Sequence, residues 1–247
     1  MNIYLLASTT MSDGMDSFLR DRSLSWERDV EFSDAELLAE AAGRICYMSF
    51  GDLQHRKSTT DYLANIIRNG HESVLEHANF TFLIDGASRA LTHQLVRHRA
   101  GFAYSQLSQQ YHDESGCEFI EPEWGDDEEH LKKQWKEWAE STRSLYKAML
   151  SSTRKLNSTE LSLKEKTRGV RSAARSVLPN ATKTTLVITG NARAWRNMLS
   201  VRGCIPGDME MRNYCLQIFQ ILRKEAPSLF SDFELLNDEL GTMVKKR

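Results

Sequence analysis

Between residues 97 and 111 the chain reads Arg97-His98-Arg99, then Ala100-Gly101-Phe102-Ala103, then Tyr104-Ser105-Gln106-Leu107-Ser108-Gln109-Gln110-Tyr111. Two guanidiniums flank an imidazole, and a run of hydroxyls and amides with little apolar to bury follows. As a core segment such a run is costly, since each buried amide and hydroxyl needs a partner. As the lining of a site it offers forked cations for an anion and hydrogen-bonding edges for a planar, polar ring. Arg97 and Arg99 point to opposite sides of an extended chain, or about 200° apart on a helix, so they can serve two ligands. The same residues also fit a plainer part, a basic helix C-terminus with Gly101 at the C′ position. That reading leaves the polar run unexplained.

Other clusters are weaker. His71-Glu72-Ser73-Val74-Leu75-Glu76-His77 places two His and two Glu in seven residues, but its His-His separation of six positions fits no common zinc signature, and no metal is assigned. A structural turn or a ligand-facing polar segment both suit it. Arg168, Arg171 and Arg175 form one stripe on a helix, which a solvated face also explains. A nucleophile elbow, a dinucleotide glycine fingerprint and a phosphate-binding P-loop are all absent. The residues by themselves reach a nucleotide or cofactor site and stop there.

The elements that must position these groups follow from periodicity and punctuation. Ile3 to Ala7 suits a buried strand, and residues 11 to 32 read as a loop anchored by Trp26. Ser33-Asp34-Ala35-Glu36 is a capping box opening a helix whose apolar face is Leu37, Leu38, Ala41, Ala42 and Ile45. A second helix starts near Thr59 or Thr60, buries Leu63, Ile66 and Ile67, and stops at Asn69-Gly70. Asn79 to Asp85 alternates as a strand ended by Gly86. Ser88 to Arg97 turns helical with Leu91, Leu95 and Ala90 on the inward side, and puts Gln94 and Arg97 on one face. A surface loop covers 121 to 129, and a long helix covers 129 to 156, with Trp135, Trp138, Leu145, Met149 and Leu150 as its apolar stripe. Leu161 to Val177 forms a further helix. Thr184 to Thr189 is the clearest strand, ended by Gly190, and Asn191-Ala192-Arg193 opens a helix with Trp195 and Leu199 in the core. A final helix spans about Met209 to Lys224, with 230 to 236 packing back. The alternation predicts an α/β (α+β) fold: one domain over 1–247, a central sheet flanked by helices.

Composition sets bounds. With 247 residues, 40% hydrophobic and 27% charged, the chain can bury a substantial core. A net charge of -2 argues against a dedicated nucleic-acid binder, so the Arg clusters are local. Cys46, Cys117, Cys204 and Cys215 show no metal-ligand spacing and read as reduced thiols. The start of the chain lacks a signal-peptide pattern and no apolar run reaches membrane-spanning length, so a soluble, cytoplasmic protein without membrane partners is expected.

Several separated blocks, in order, are similar to flavin-dependent thymidylate synthases. They are Ala42-Gly43-Arg44-Ile45-Cys46-Tyr47, Gly70 to His77, Arg97-His98-Arg99 with its run to Tyr111, Ala174 to Thr182, and Thr189 to Arg196. The likeness runs from about residue 33 to 233. It implies a homotetramer binding FAD and a uridylate at subunit interfaces, with reductive methylation of dUMP to dTMP. NADPH would reduce the flavin, methylenetetrahydrofolate would supply the carbon, and no enzymic cysteine would attack C6. Matched position by position, Cys46, His71, Ser73, Arg97, His98, Arg99, Gln106, Asn191, Arg193 and Asn197 are the implied flavin residues, Cys46 where Ser is commoner. Gln94, Arg97, Gln106, Ser108, Gln109, Gln110, Tyr111, Arg175 and Arg202 are the implied nucleotide residues, with Arg175 reaching a neighbouring subunit. Arg202 is the implied catalytic residue, a fixed cation favouring ionisation of uracil N3.

Three departures from the family pattern bear on the substrate. One extra residue stands between Arg99 and Ser108, around Ala100 to Ala103. Gln110 occupies the place of an arginine, and Pro206 that of a histidine. Replacing a charge-assisted contact by a neutral one weakens binding by roughly 1–2 kcal/mol. Two alternatives to dUMP turnover follow: the same chemistry on the ribonucleotide UMP, and a non-catalytic flavin- or nucleotide-binding relative.

Overall fold

The structure, a computed structural model, describes residues 1–28, 31–151 and 161–247. The fold is mixed helix and sheet. In chain order the elements are β1 (Asn2–Ser8), α1 (Gly14–Asp21), α2 (Asp34–Tyr47), α3 (Thr59–Arg68), β2 (Asn79–Ser88), α4 (Arg89–Leu95), β3 (Phe102–Gln106), α5 (Glu129–Leu150), α6 (Leu163–Ala174), β4 (Lys183–Asn191), α7 (Ala192–Arg202), α8 (Met209–Glu225), β5 (Phe233–Asp238) and β6 (Gly241–Lys246). A four-stranded sheet runs in the order β1-β2-β4-β3, and β5 pairs with β6 as an antiparallel hairpin.

The chain forms two compact units, each from three segments. One comprises Met1–Asn2, Ile84–Val96 and Ser105–Leu186; the other comprises Ile3–Leu83, Arg97–Tyr104 and Val187–Arg247. The first is centred on Ile84, Leu91, Leu95, Tyr146, Ala174 and Leu186, all buried. The second has a larger aromatic core, in which Phe80 meets Phe230, and Trp195 meets Phe82 and Phe102 edge-on.

Two strands run straight into helices, and side-chain caps explain both junctions. Ser88 closes β2 and its Oγ accepts from Leu91 N at 2.9 Å, starting α4. Asn191 closes β4 and its Oδ1 accepts from Ala194 N at 2.9 Å, starting α7. Each hydroxyl or amide satisfies one of the orphan donors of a first helical turn. Gly86 and Gly190, expected as strand ends, lie inside β2 and β4. Gly190 is there for packing: a Cβ would run into the Phe102 ring and lie 2.9 Å from Trp195 Nε1.

Several expectations are corrected. β1 is a sheet edge, with Tyr4 51% and Leu6 53% exposed, not a buried strand. A helix, α1, occupies part of the stretch read as loop, although Trp26 does anchor: its Nε1 donates to Glu40 Oε1 at 3.3 Å and its ring meets Phe50 edge-on. The capping box at Ser33 and Glu36 forms as read. The buried face of α2, however, is Ala35, Glu36, Ala39, Glu40, Gly43 and Arg44 with Ala41, while Ile45 is 41% exposed. The charges go inward because they are paired: Arg44 bonds Glu40, Ser49 O and Arg56 O, and Glu36 Oε1 accepts from Ser228 N. On α5 the inward face is Ala139, Thr142 and Tyr146, leaving Trp138 and Leu145 exposed. Residues 152–156, predicted as its last turn, lie outside the described residues. α4 stops at Leu95, so the shared helical face predicted for Gln94 and Arg97 does not form. α6 stops at Ala174, and Arg175 opens a 3-10 turn, leaving the stripe of Arg168 and Arg171.

Candidate functional site

Beyond the end of α4 the chain turns, and Arg97 and Arg99 are exposed while His98 is half-buried. Two contacts fix His98. Tyr104 OH, on β3, donates to its carbonyl at 2.8 Å, and Arg202 Nε, at the end of α7, donates to its Nε2 at 3.2 Å. A guanidinium can only donate, so Nε2 holds the lone pair and the imidazole is neutral with its proton on Nδ1. Burial, and then the charge of Arg202, hold the His98 pKa below its ordinary value. Burial raises that of Tyr104.

The stretch with the extra residue is a tight turn against α7. Gly101 has φ +75, and Asn191 N donates to Gly101 O at 3.2 Å. A Cβ at Gly101 would stand 2.7 Å from Asn191 Nδ2 and 2.8 Å from the Ala194 Cβ. Only glycine permits both the left-handed backbone and that approach.

Arg193 and Asn197 are exposed one turn apart on α7. Arg193 Nη1 bonds Glu76 Oε1 at 2.6 Å, and Arg196, next to it in sequence but buried, reaches Glu72 Oε1 at 3.4 Å. Glu72 and Glu76 belong to a 3-10 turn, Glu72–His77, that also carries Ser73 and is preceded by His71, both exposed. The carboxylates of this His/Glu-rich stretch are thus committed to arginines. Among the described residues no group of three His, Cys, Asp or Glu is placed to hold a metal ion. Cys46, near the end of α2, is exposed and its thiol donates back to Ala42 O at 3.3 Å.

The implied nucleotide residues Gln94, Gln106, Ser108, Gln109, Gln110, Tyr111 and Arg175 all fall in the other unit. The Gln106 amide lies 3.0 Å from Thr92 Oγ1 and 3.4 Å from Thr184 Oγ1. Ser108 anchors a turn: Tyr111 N and His112 N donate to its carbonyl, and Gln110 N to its Oγ at 3.3 Å. Gln110 Nε2 donates to Ser172 Oγ at 3.4 Å, and Arg171 Nη1 to Tyr111 O at 2.7 Å, so α6 holds this turn. Arg175 is exposed, Gln94 and Gln109 half-buried.

Sequence reasoning missed Arg89. It is the first residue of α4, and its Nη2 donates to Leu107 O at 2.7 Å, between Gln106 and Ser108. Burial lowers its pKa against the pull of Glu114, with Arg175 adding to the lowering. An arginine directly after a Ser cap was the available signal. Glu114 was also missed; it is 4% exposed, and burial raises its pKa despite His112 and Arg89. One unit therefore presents exposed guanidiniums with a neutral imidazole and a carboxamide, and the other presents a polar turn braced by Arg89 and α6.

Comparison with known proteins gives these groups a context. A family model described as thymidylate synthase complementing protein matches residues 30–228. A flavin-dependent thymidylate synthase of Mycobacterium avium (strain 104) is 37% identical over 245 residues, covering 99% of this chain and 94% of its own. Its namesake from Mycobacteroides abscessus gives the same identity and coverage. A third, from Corynebacterium aurimucosum, is 35% identical over 243 residues, covering 98% and 94%.

Proposed function

The chain belongs to the flavin-dependent thymidylate synthase family, and from that premise we propose that it methylates dUMP at C5 to give dTMP, with FAD bound, NADPH as reductant and methylenetetrahydrofolate as carbon donor. The donor set fits the cofactor. Arg97 and Arg99 are exposed cations suited to a diphosphate, Arg193 adds a guanidinium held through Nη1 by Glu76, and His71, Ser73, Asn191 and Asn197 supply the uncharged groups a polar ring system needs. Bound there, FAD supplies hydride storage between NADPH and the uracil.

The chain's own residues do the rest. Gln106, Ser108, Gln109, Gln110 and Tyr111, with Gln94 and Arg175, bind the uridylate; Arg175 serves the site of a neighbouring copy in a homotetramer. Arg202 carries a fixed charge toward the pyrimidine, stabilising the anion that develops at N3 and making C5 a better nucleophile. The observation that supports this reading most is the hydrogen bond from Arg202 to His98, which sets the α7 cation beside the Arg97-to-Arg99 segment. Residues 1–247 act as one domain in the cytoplasm, on a free nucleotide.

Gln110 favours a second substrate, UMP, because its amide is held on Ser172 where the family pattern has a charged side chain. The test is an incubation of purified protein with NADPH, methylenetetrahydrofolate and either nucleotide, with chromatography of the products. Methylated product from dUMP is expected. Product from UMP alone moves the substrate, and yellow protein that methylates neither overturns the enzymic reading.

A further inference from the structure

We propose that His98 is a positioning residue for Arg202: its neutral imidazole accepts from Arg202 Nε and so fixes the direction of the guanidinium. The inference rests on the reading of Arg202 as the cation that polarises uracil. Arg202 is the last residue of α7 and half-exposed, a place where a long side chain has many rotamers. Nε is the guanidinium nitrogen bonded to the side-chain stem, so anchoring it sets the plane of the whole fork. His98 Nε2 accepts from that atom, at 3.2 Å.

The anchor is itself held by a closed circuit within one unit. Tyr104 OH binds the His98 carbonyl, Tyr104 lies against Phe102, and Phe102 packs edge-on against Trp195 at 4.9 Å. Trp195 belongs to α7, the helix that ends at Arg202. A displacement of α7 therefore carries His98 with it, and the donor and acceptor keep their register.

The device has a sign with respect to pH. Protonation puts a hydrogen on Nε2, removes the acceptor and sets two like charges in contact. The ionisable groups around it are Arg97 and Arg99 on its own segment, Arg202 from α7 and Tyr104 from β3. On the α8 side Tyr214 lies near Tyr104, and Cys215 near Arg202, Asp208 and Cys204; burial raises Tyr214 and Cys215 so that they stay neutral. Acid therefore uncouples the pair, at a pH below the ordinary range for histidine.

The test has two arms. In protein labelled with 15N-histidine, assigned through His98→Gln, the neutral His98 ring is expected as the Nδ1–H tautomer, and Arg202→Met is expected to release it to the commoner Nε2–H form. An Nε2–H ring in the parent protein, or no response to Arg202→Met, overturns the proposal. This arm needs no turnover, so a protein that methylates neither dUMP nor UMP would sink the functional reading and still leave the coupling decided. In the second arm FAD content is measured alongside kcat against pH. His98→Leu, assayed at FAD concentrations that saturate it, is expected to lower kcat by roughly 10- to 100-fold, the worth of a hydrogen bond to a charged group. His98→Gln, which keeps an acceptor that cannot protonate, should recover about tenfold of that and lose the acid limb. Flavin-loaded His98→Leu turning over at the parental rate would overturn the assignment.

Discussion

Replacing Arg196 by Met tests whether buried charge on α7 holds the turn that carries His71 and Ser73. Arg196 is 2% exposed and bonds Leu229 O at 2.6 Å, Asp232 Oδ1 at 2.7 Å, Asp232 Oδ2 at 2.8 Å and Glu72 Oε1 at 3.4 Å. Its guanidinium also lies over the Phe233 ring. Methionine refills the stem and removes every donor. Breaking a buried pair from one side costs about 3–5 kcal/mol. Asp232 and Glu72 retain some solvent, at 22% and 23% side-chain exposure, and Lys246 stands within 3.8 Å of Asp232. The lower end, about 3 kcal/mol, is therefore the expectation. For a chain of this length that corresponds to a melting temperature lower by about 6–12 °C. Burial alone would raise the Asp232 carboxyl, but its hydrogen bonds and charge pairing with Arg196, aided by Lys246, bring it below the usual carboxylate value. A carboxyl depressed in the folded state adds stability above its unfolded pKa and loses it as pH falls through the folded one. That acid limb should shrink in Arg196→Met, and Arg196→Lys should not restore it, since an ammonium cannot reproduce the two-pronged contact. Calorimetry at fixed protomer concentration, over a pH series, with a flavin titration alongside, makes the measurement. A melting shift under about 2 °C with an unchanged acid limb would refute the reasoning.

Arg202→Ala should abolish methylation while flavin absorbance at saturation is retained; loss of flavin would show that its role was misassigned. Gln110→Arg should tighten dUMP binding by about tenfold, a charge-assisted contact replacing a neutral one, measured as the KM for dUMP. Unchanged or weaker binding would mean the extra residue before Ser108 has moved this position off the nucleotide. Gly101→Ala should cost about 1–3 kcal/mol in a denaturant titration, because the backbone is left-handed and Asn191 and Ala194 stand in the way. A cost near zero would show that this turn shifts freely.

The fold class and the side-chain-capped helix starts were legible because they depend on local chemistry, whereas α1, which has no side-chain cap, was not. Ser33 with Glu36, and the strand from Thr184, announce themselves within a few residues. The facing of α2 was not legible: periodicity places charge outward, and Glu40 and Arg44 go inward because they pair with each other and because groups outside the helix, Trp26 and Arg56 O, complete their contacts. β3 was hidden for the opposite reason. Its hydroxyls and amides suggested a site lining, whereas Phe102, Tyr104 and Gln106 alternate with exposed Ala103 and Ser105 as an edge strand does. At the site, the residue types around Arg97, His98 and Arg99 were readable, and the resemblance supplied their roles. The bracing groups were not readable. Arg89 is one arginine among many until its contact with Leu107 O is seen, and no spacing rule links Arg202 to His98 across 104 positions.

The interleaving of the two units has a consequence for biosynthesis. Ile3–Leu83 shares its unit with Val187–Arg247, so the first third of the nascent chain waits for the last quarter before its packing partners exist. Pairings this remote in sequence slow folding and lengthen the exposure of apolar surface on the ribosome. A truncation after Leu186 would retain every residue of one unit and strand the amino-terminal helices of the other, leaving a polypeptide prone to aggregate and to be captured by chaperones.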